Sequence, residues 1–485
     1  MVYFFESKKE PILLMPTEFR FYTKSPLQRS IANLLLLCLL PFVALTSVAQ
    51  STPSSQEYSA GNSLTPLLTN RDGLQVRVDL LTDPSTKSLD VLTFTLKEDR
   101  VGLALLAGAV KIVERGGRVR IAYDAFSSKI SPETLAYLES KGVQMKAFHP
   151  ADWKWWEVLL QPIKTLIRLN MRNHEKLFIV NGVKAVLGSA NYSEDYFLAA
   201  RDRDSRGRWI FRDREILLAG PLVERIETNF EWKWVRSHLE TPETKEIPPV
   251  ERSLLEKKLN DLYTVMTQIS GTKPIAAQKF YPSEVDYVFD TAKNYEKTKS
   301  VHAGILKLLN SAEAEIVIEN PYVLLVPDIF KALKDAKARG VVVKIFTNRV
   351  GGSDENSVSE AFKQDIVRLS KAGFEIYLID SKQVFHGKVV IIDKKTIYLG
   401  SANFDSRSKN FNLENGIFFQ DADYAALLEQ RREIENFQRK DVIVNGRKVT
   451  VRTPGPVACK KVHTQGADAF NIPINPLIKL KKPLL

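Results

Sequence analysis

The sequence predicts an α/β fold built from two similar halves, and two observations lead to this prediction. Apolar segments typical of strands alternate along the chain with longer segments whose apolar residues recur at helical spacing. In addition, one motif occurs twice, first as NHEKLFIVNGVKAVLGSANYS and later as FHGKVVIIDKKTIYLGSANFDS. His174 and His386 lie 212 positions apart, and so do Gly188 and Gly400 of the two GSAN tetrads. A constant offset indicates a duplicated unit.

Length and charge limit the classes of protein to which the chain can belong. With 485 residues, of which 44% are hydrophobic, the chain can bury more than one core, because single cores stop growing near about 250 to 300 residues. The formal net charge of +12 favours an anionic partner, whether nucleic acid, anionic lipid or a phosphorylated substrate. Charge alone does not select among these three.

The first 49 residues are typical of a secretory signal. Lys24 and Arg29 precede an apolar run over residues 31–48, and small residues end the run, with Ala49 before the predicted cleavage site. The run is also just long enough to cross a bilayer, so an uncleaved signal anchor is the alternative. After cleavage the chain would keep one of its two cysteines, which allows no internal disulfide and no cysteine metal cluster.

Shifts in composition and pattern divide the chain into segments. The stretch after the signal is rich in Ser, Thr, Pro and Gly, as expected of a linker. The strand and helix pattern that begins near residue 88 starts again near residue 300, and a charged, proline-bounded stretch precedes the restart. The predicted segments are a signal peptide or signal anchor at 1–49, a linker at 50–75, a first half at 76–240, a charged connector at 241–300, a second half at 301–440 and a tail at 441–485.

Individual elements follow from periodicity and turn residues. In the first half, SLDVLTFTL predicts a strand, RVGLALLAGAVKIVERGG a helix closed by Gly116 and Gly117, and RVRIAYD the next strand. In the second half, DIFKALKDAKARG predicts a helix and VVVKIFTN a strand. The tail segment VIVNGRKVTVRT carries an Asn-Gly pair between alternating residues, which predicts a hairpin.

The repeated motif predicts the same chemical set in each half. Residues i and i+2 of a strand point to one face, so the His and Lys of each His-x-Lys would share a pocket. The apolar runs LFIV and VVII that follow predict strands buried on both faces. The Gly and Ser of each GSAN permit a tight turn that directs the Asn to the same pocket. An imidazole, a fixed positive charge and an amide donor suit a phosphate group, and the candidates are His174, Lys176, Asn191, His386, Lys388 and Asn403.

The pattern HxKxxxxD followed by GSxN, present twice, resembles the phospholipase D superfamily. The stretch HGKVVIID with GSANFDSRSKNFNLENG is similar to the second half of bacterial cardiolipin synthases, and LDVLTFTLKEDRVGLALLAGAVKIVERGGRVRIAYD is similar to a segment that flanks their first motif. The resemblance covers roughly residues 75–240 and 300–420. It implies two phospholipase D-like α/β sandwich halves, related by pseudo-twofold symmetry, that bring both motifs into one cleft of a monomer.

The resemblance also implies roles for single residues. One histidine attacks phosphorus to give a phosphohistidine, and the other protonates the leaving alcohol and then serves as base for the acceptor. On family resemblance, His174 is the nucleophile. Glu414 in NLENG matches the family's orienting carboxylate, and Asp213 in FRDREI is its less secure counterpart in the first half.

Two serines lie just past the tetrads. Ser193 and Ser406 are candidates for hydroxyl contacts with the bound phosphate. They are equally consistent with turn or cap residues, because serine often fills such places.

The first copy departs from the family pattern at one position. Asn181 stands where the second copy keeps Asp393, the aspartate of the motif and a candidate catalytic residue. Seven residues after the histidine, this position faces away from the His and Lys on a regular strand, which favours a supporting role. Tyrosyl-DNA phosphodiesterases lack this aspartate in both motifs, whereas this chain keeps one.

Residues 151–172 suggest contact with a membrane. Trp153, Trp155 and Trp156 precede a stretch in which basic and apolar residues form separate stripes, as in helices that lie at anionic membrane surfaces. A helix packed on the core with a solvated basic edge fits the same pattern. The basic stripe is Lys164, Arg168 and Arg172, and the apolar stripe is Ile163, Ile167 and Met171.

Together these features predict a cardiolipin synthase-like phosphatidyltransferase that acts on phospholipid phosphodiesters. We expect it to need no cofactor or metal, to meet an anionic phospholipid at a membrane surface without obligatory nucleic acid, and to be exported across or anchored to the inner membrane of a bacterium. A phospholipase D hydrolase that releases phosphatidic acid, or a secreted nuclease of the same superfamily, would use the same motifs. A catalytically inactive binding module is disfavoured, because both His-x-Lys pairs are present.

Overall fold

A mixed eight-stranded sheet forms the centre of each half of the computed structural model. The structure describes residues 61–149, 160, 162–197, 210–236, 238–272, 278–293, 296–380, 383–444, 447–454 and 458–461. The first-half strands are β1 Ser63–Leu67, β2 Ser88–Thr93, β3 Arg118–Asp124, β4 Gln144–Phe148, β5 Leu177–Val180, β6 Lys184–Gly188, β7 Ile210–Arg212, β8 Glu215–Ala219 and β9 Leu239–Glu240. The first-half helices are α1 Asn70–Thr82, α2 Arg100–Glu114, α3 Pro132–Ser140, α4 Pro162–Asn170, α5 Glu194–Phe197 and α6 Leu222–Arg236.

After the first half, the chain continues through one long helix into the second sheet. The helices are α7 Pro249–Ile269, α8 Ser300–Asn310, α9 Pro327–Ala338, α10 Asn356–Lys371, α11 Ser406–Asn410 and α12 Ala422–Asn436. The strands are β10 Val285–Phe289, β11 Ala292–Lys293, β12 Glu296–Lys297, β13 Glu315–Glu319, β14 Val342–Asn348, β15 Glu375–Asp380, β16 Gln383–Phe385, β17 Val389–Ile392, β18 Thr396–Gly400, β19 Asn415–Gln420, β20 Phe437–Val444, β21 Arg447–Pro454 and β22 Ala458–Lys461.

The two sheets have the same topology. Their strand orders are β1-β8-β6-β5-β2-β3-β4-β9 and β10-β19-β18-β17-β13-β14-β15-β22, and the three strands β2, β3 and β4 are parallel to one another, as are β13, β14 and β15. The register repeats as well: Leu89 lies opposite Val180, and Ile316 lies opposite Ile392, which is 212 positions beyond Val180. The predicted duplication and the predicted fold class are confirmed.

The strands that follow the motifs are buried on both faces. In β5, Leu177 and Ile179 pack in a core shared by the two sheets, whereas Phe178 and Val180 pack under the first-half helices. Strand β17 repeats this alternation with Val389 and Ile391 in the shared core and Val390 and Ile392 under the second-half helices. Each such side chain contributes roughly 1.5–3 kcal/mol by leaving water. The layers are therefore helix, sheet, sheet and helix, with the two sheets face to face.

Two segment assignments differ from the sequence prediction. The predicted linker at 50–75 is wrong beyond residue 62, because β1 and the start of α1 lie within residues 63–75. Strand β1 escaped detection because Pro66 interrupts a short Ser/Thr-rich stretch, but it is an edge strand of the first sheet, where proline is tolerated. The predicted connector at 241–300 also contributes structure to both halves: Leu259 and Met266 of α7 are buried in the first-half core, and β10 is an edge strand of the second sheet.

Several sequence predictions lie wholly or partly outside the described residues. These include the signal segment, Trp153, Trp155 and Trp156, and residues 462–485. The predicted tail hairpin is confirmed in its strands, since β20 and β21 pair antiparallel with Val444 opposite Arg447. Among the helices that the structure describes, none is long and apolar enough to cross a membrane.

Candidate active site

Each motif histidine is fixed by the backbone of the opposite half. The N–H of His174 donates to the carbonyl of Leu413 over 3.0 Å, and the N–H of His386 donates to the carbonyl of Arg212 over 2.8 Å. The second contact extends a short parallel pairing between β7 and β16, in which Phe385 lies opposite Arg212. The two motifs therefore meet at the interface between the halves.

The orienting carboxylates cross that interface. Nδ1 of His174 lies 3.0 Å from Oε2 of Glu414, and Nδ1 of His386 lies 2.7 Å from Oδ1 of Asp213. Glu414 directly follows Leu413 and Asp213 directly follows Arg212, so one short segment fixes both the backbone and the ring of the opposite histidine. With Nδ1 engaged in this way, Nε2 of each imidazole is left for chemistry on a substrate.

The serine of each GSAN tetrad supports the carboxylate of its own half. Ser189 Oγ donates to Asp213 Oδ1 over 2.8 Å, and Ser401 Oγ donates to Glu414 Oε2 over 2.5 Å. Ser408 Oγ adds a second hydrogen bond to Glu414 at 2.7 Å. Sequence reasoning did not assign this role to Ser189 and Ser401, although their equivalent positions in the two GSAN tetrads were a usable signal.

The motif lysines are buried beside the histidines. Lys176 and Lys388 are 2% and 1% exposed, and each donates to the backbone carbonyl of its own motif histidine, with Lys388 Nζ 2.6 Å from the His386 oxygen. Burial lowers the pKa of Lys176 to about 7 and lowers the pKa of Lys388 well below its usual value, and Lys176 adds to the shift of Lys388 by repulsion. Two buried ammonium groups this close favour a bound anion between them.

Burial also lowers the pKa values of the two motif histidines. It lowers the pKa of His174 to about 4, with Glu414 opposing the shift, and it lowers the pKa of His386 to about 4, with Lys388 adding to the shift and Asp213 opposing it. Both rings are therefore neutral near pH 7 in the unliganded protein. A phosphodiester anion in the cleft would raise both pKa values, so substrate binding itself supplies the condition for one ring to become a proton donor.

The two tetrad asparagines have different surroundings. Asn191 is buried, and its Oδ1 accepts the backbone N–H of Thr95 over 3.2 Å. The Oδ1 of Asn403 is buried and has no hydrogen-bond partner among the described residues. Of the two side-chain oxygens, only that of Asn191 therefore already holds a backbone partner.

The two serines predicted to bind phosphate have local partners. Ser193 Oγ donates to Asp195 over 3.2 Å, and Ser406 Oγ accepts from the side chain of Asn410 over 3.1 Å. Neither contact reaches a motif histidine, so the described geometry matches the turn and cap alternative.

Asp393 is placed away from the histidines, which corrects its inclusion among the catalytic residues. Its carboxylate accepts the backbone N–H groups of Glu313, Ala314 and Glu315 at 2.8–2.9 Å, at the end of β17 opposite to His386. Asn181 has the same role in the first half, where its Oδ1 accepts the N–H groups of Lys87, which precedes β2, and of Ser88, the first residue of β2. The position at which the first motif departs from the family pattern therefore lies in the turn of the β5–β6 hairpin and not in the cleft.

The basic and apolar stripes of residues 151–172 are partly internal. Met171 is fully buried, and Arg172 is 3% exposed with its guanidinium 3.4 Å from Asp124. Asp124 also accepts the N–H of Asn173, which fixes the segment that enters the first motif. These two residues of the stripe support the cleft and do not face a lipid surface. Among the described residues, no cluster of three or more His, Cys, Asp or Glu side chains is placed to hold a metal ion.

Comparison with known proteins agrees with this geometry. Residues 305–434 match the family model described as cardiolipin synthase, PLD-like domain. The chain is 24% identical over 376 residues to cardiolipin synthase of Clostridium perfringens, covering 75% of this chain and 70% of the relative. It is 25% identical over 423 residues to cardiolipin synthase C of Escherichia coli, covering 78% and 86%.

A solved structure shows the same fold. Phosphatidylserine synthase of Haemophilus influenzae superposes with a TM-score of 0.59 at 13% identity, over 87% of this chain and 95% of that one. The predicted resemblance is confirmed by these matches, and the chain is an enzyme of the phospholipase D type. Within that class, the relatives that it resembles along most of its length include bacterial cardiolipin synthases.

Proposed function

We propose that the protein transfers a phosphatidyl group from one phospholipid to the alcohol of another, through a phosphohistidine. The observation that carries the proposal is the pair of crossed dyads, His174 with Glu414 and His386 with Asp213, around two buried lysines. Two oriented imidazoles with free Nε2 atoms provide the nucleophile and the proton donor that phosphodiester exchange requires.

The steps assign one role to each dyad. His174 Nε2 attacks phosphorus while protonated His386 gives its proton to the leaving alcohol, and the acceptor alcohol then loses its proton to His386 as it displaces His174. Lys176 and Lys388 offset the charge on the phosphoryl oxygens, and the amides of Asn191 and Asn403 donate to them. Glu414 stabilises the imidazole on which the covalent bond forms.

The assignment of phospholipid as substrate follows the cardiolipin synthases that the chain resembles. We take phosphatidylglycerol as donor and acceptor, so that the product is cardiolipin or a related lipid. Purified full-length protein incubated with phosphatidylglycerol vesicles should form cardiolipin, and a His386→Ala variant should not. Phosphatidic acid as the sole product would make the protein a hydrolase, and cleavage of plasmid DNA without lipid turnover would make it a nuclease.

We further propose that the protein meets its substrate at a membrane surface, after export or as an anchored protein. The Trp-rich start of residues 151–172 and the apolar run at 31–48 support this location. Replacement of Trp153, Trp155 and Trp156 by Ser should weaken sedimentation with anionic vesicles while the melting temperature changes little. A large fall in melting temperature would instead place the three rings in a protein core.

A further inference from the structure

The two histidines have different neighbours on the side away from their carboxylates. The ring of Tyr196 lies 5.6 Å from that of His386, and the ring of Tyr322 lies 6.4 Å from it, both edge-on. Around His174 the described aromatic neighbour is Phe94, at 5.0 Å. Beside His386, two hydroxyl-bearing rings therefore accompany the apolar ring of Phe211, which lies 5.0 Å away, whereas the aromatic neighbour described at His174 is the apolar Phe94.

Tyr322 is joined to an acidic side chain at the edge of the cleft. Its hydroxyl donates to Asp354 Oδ1 over 2.6 Å, and Ser353 Oγ contacts the same oxygen at 3.4 Å. The loop that carries Asp354 is fixed, because the N–H of Gly351 donates to Ser359 Oγ over 2.6 Å. Both described bonds reach Oδ1, so the Oδ2 side of the carboxylate is left for a ligand, since a carboxylate offers about four lone-pair sites.

The position of Asp354 is unusual for a site that binds an anion. The charge of Asp354 opposes the fall in the pKa of Lys388, so Asp354 lies within electrostatic range of that lysine. The described hydrogen bonds of Asp354, however, come from hydroxyl groups. A carboxylate repels phosphoryl oxygens and accepts hydrogen bonds from hydroxyl groups. In the first half the position that corresponds to Tyr322 is occupied by Thr95, because the bridges Leu96 to Tyr192 and Val323 to Phe404 align these two residues.

We propose that Tyr322 and Asp354, together with Tyr196, form the subsite for the acceptor alcohol, and that this subsite takes a polyol such as the glycerol headgroup of a phospholipid. The inference rests on the proposed function and adds the means by which the acceptor is chosen over water. One hydroxyl of the polyol lies beside His386 Nε2, a second donates to Asp354 Oδ2, and the phenol of Tyr196 contacts the same headgroup.

The transfer step is balanced around this subsite. The acceptor oxygen forms a bond to phosphorus, the bond between phosphorus and His174 Nε2 breaks with its electron pair returning to that nitrogen, and the acceptor proton passes to His386 Nε2. Water competes at about 55 M, but a hydroxyl held in line reaches effective concentrations of roughly 10⁵ M or more. A polyol that gains contacts with Asp354 is therefore favoured over water and over an alcohol with a single hydroxyl.

The test measures products and not only rate. Wild type, Asp354→Asn and Tyr322→Phe are incubated with unlabelled phosphatidylglycerol micelles and either isotope-labelled glycerol or 1-propanol. Labelled phosphatidylglycerol (the glycerol product), phosphatidylpropanol (the propanol product) and phosphatidic acid are quantified. Wild type should prefer glycerol to propanol. Asp354→Asn should lower the glycerol product about tenfold, the factor expected for one lost hydrogen bond to a charged group, and leave the propanol product unchanged. Tyr322→Phe should change the same ratio in the same direction.

The possible outcomes separate the subsite from the proposed function. An equal loss of all three products in Asp354→Asn would mean that this residue only positions the site, and the subsite would be rejected. Wild type that forms neither the glycerol nor the propanol product would refute the proposed phosphatidyl transfer itself. Tyr377→Phe is the matched control, because its hydroxyl donates to Glu375 over 2.7 Å on β15, and it should leave the product ratios unchanged.

Discussion

The two histidine motifs are copies of one backbone, but the side chains packed behind them differ. In HEK of the first motif, Glu175 is fully buried and lies 2.8 Å from Lys233. In HGK of the second, a Cβ on Gly387 would lie 2.6 Å from Cγ of Arg214, so a side chain there would displace that arginine. The backbone repeats because both motifs must present His and Lys, whereas the middle residue depends on which ion pair fills the space behind it.

The halves also differ in how their carboxylates are supported. Glu414 accepts hydroxyl hydrogen bonds from two serines, Ser401 and Ser408, whereas Asp213 accepts one, from Ser189, and is flanked in the sequence by two buried arginines, Arg212 and Arg214. A duplicated fold has thus produced two dyads with the same geometry and different surroundings. In the proposed mechanism one imidazole is the nucleophile and the other the acid and base, and the following predictions test whether these different surroundings correspond to different roles.

The largest effect is expected from the histidines themselves. In His174→Asn no phosphoenzyme should form, and turnover should fall by at least about 10⁴-fold, because the nucleophile is absent. In His386→Asn the labelled phosphoenzyme should form slowly, because the acid that protonates the leaving alcohol is missing, but it should persist once formed, because the base that activates the acceptor is missing as well. Acid-quenched protein labelled from a phosphatidyl donor distinguishes the two variants. Label in His174→Asn and none in His386→Asn would exchange the two roles.

The orienting carboxylates should follow, with losses of roughly 10²–10⁴-fold for Glu414→Gln or Asp213→Asn. Because Glu414 opposes the fall in the pKa of His174, its replacement should lower that pKa further below about 4. The nucleophile must be neutral, so kcat/KM falls as the pH drops through the His174 pKa. The acid limb of the profile should therefore move to lower pH in Glu414→Gln. An acid limb that stays in place would show that another group controls it.

Sequence reasoning located the motif residues but not their pairing. His174 and Lys176 carry a local signal, namely their spacing within a repeated strand and turn pattern, whereas Glu414 was identified through the resemblance to the phospholipase D superfamily. The crossing of Glu414 to His174 carries no such signal, because it depends on how one sheet packs against the other over a separation of 240 residues. Tyr322 was missed for the same reason, since it reaches His386 from the end of a different strand.

A buried charge cluster between the halves should be the next most sensitive feature. Glu435 of α12 lies 2.7 Å from Arg214, 3.0 Å from Arg212 and 2.6 Å from Arg431. In Glu435→Gln two buried guanidinium groups lose their shared carboxylate, which should lower the free energy of unfolding by about 3–5 kcal/mol. Urea denaturation measures this change.

The matched control for that cluster is an exposed ion pair. Asp261→Asn removes the partner of Lys257, 2.8 Å away on the surface of α7, and should change the free energy of unfolding by less than about 0.5 kcal/mol. If Glu435→Gln were as mild as this control, the cluster would not be what holds the Asp213 segment against the second half.

The smallest effect is expected at the position where the first motif has Asn181 and the second has Asp393. Asp393→Asn removes the charge from three hydrogen bonds to backbone N–H groups, and should cost about 1–2 kcal/mol of stability. Asn181→Asp should cost less than about 1.5 kcal/mol, because the new carboxylate still accepts from Lys87 and Ser88 but loses the donor that bonds the Ser85 carbonyl at 3.0 Å. Because both side chains hold a hairpin at the far end of the motif strand, kcat/KM should stay within about twofold of wild type in each variant once both are fully folded. A loss of kcat/KM above tenfold in folded Asp393→Asn, with Asn181→Asp unaffected, would contradict this expectation. It would mean that the Asp393 turn affects catalysis by His386, and that the two motifs differ in mechanism as well as in surroundings.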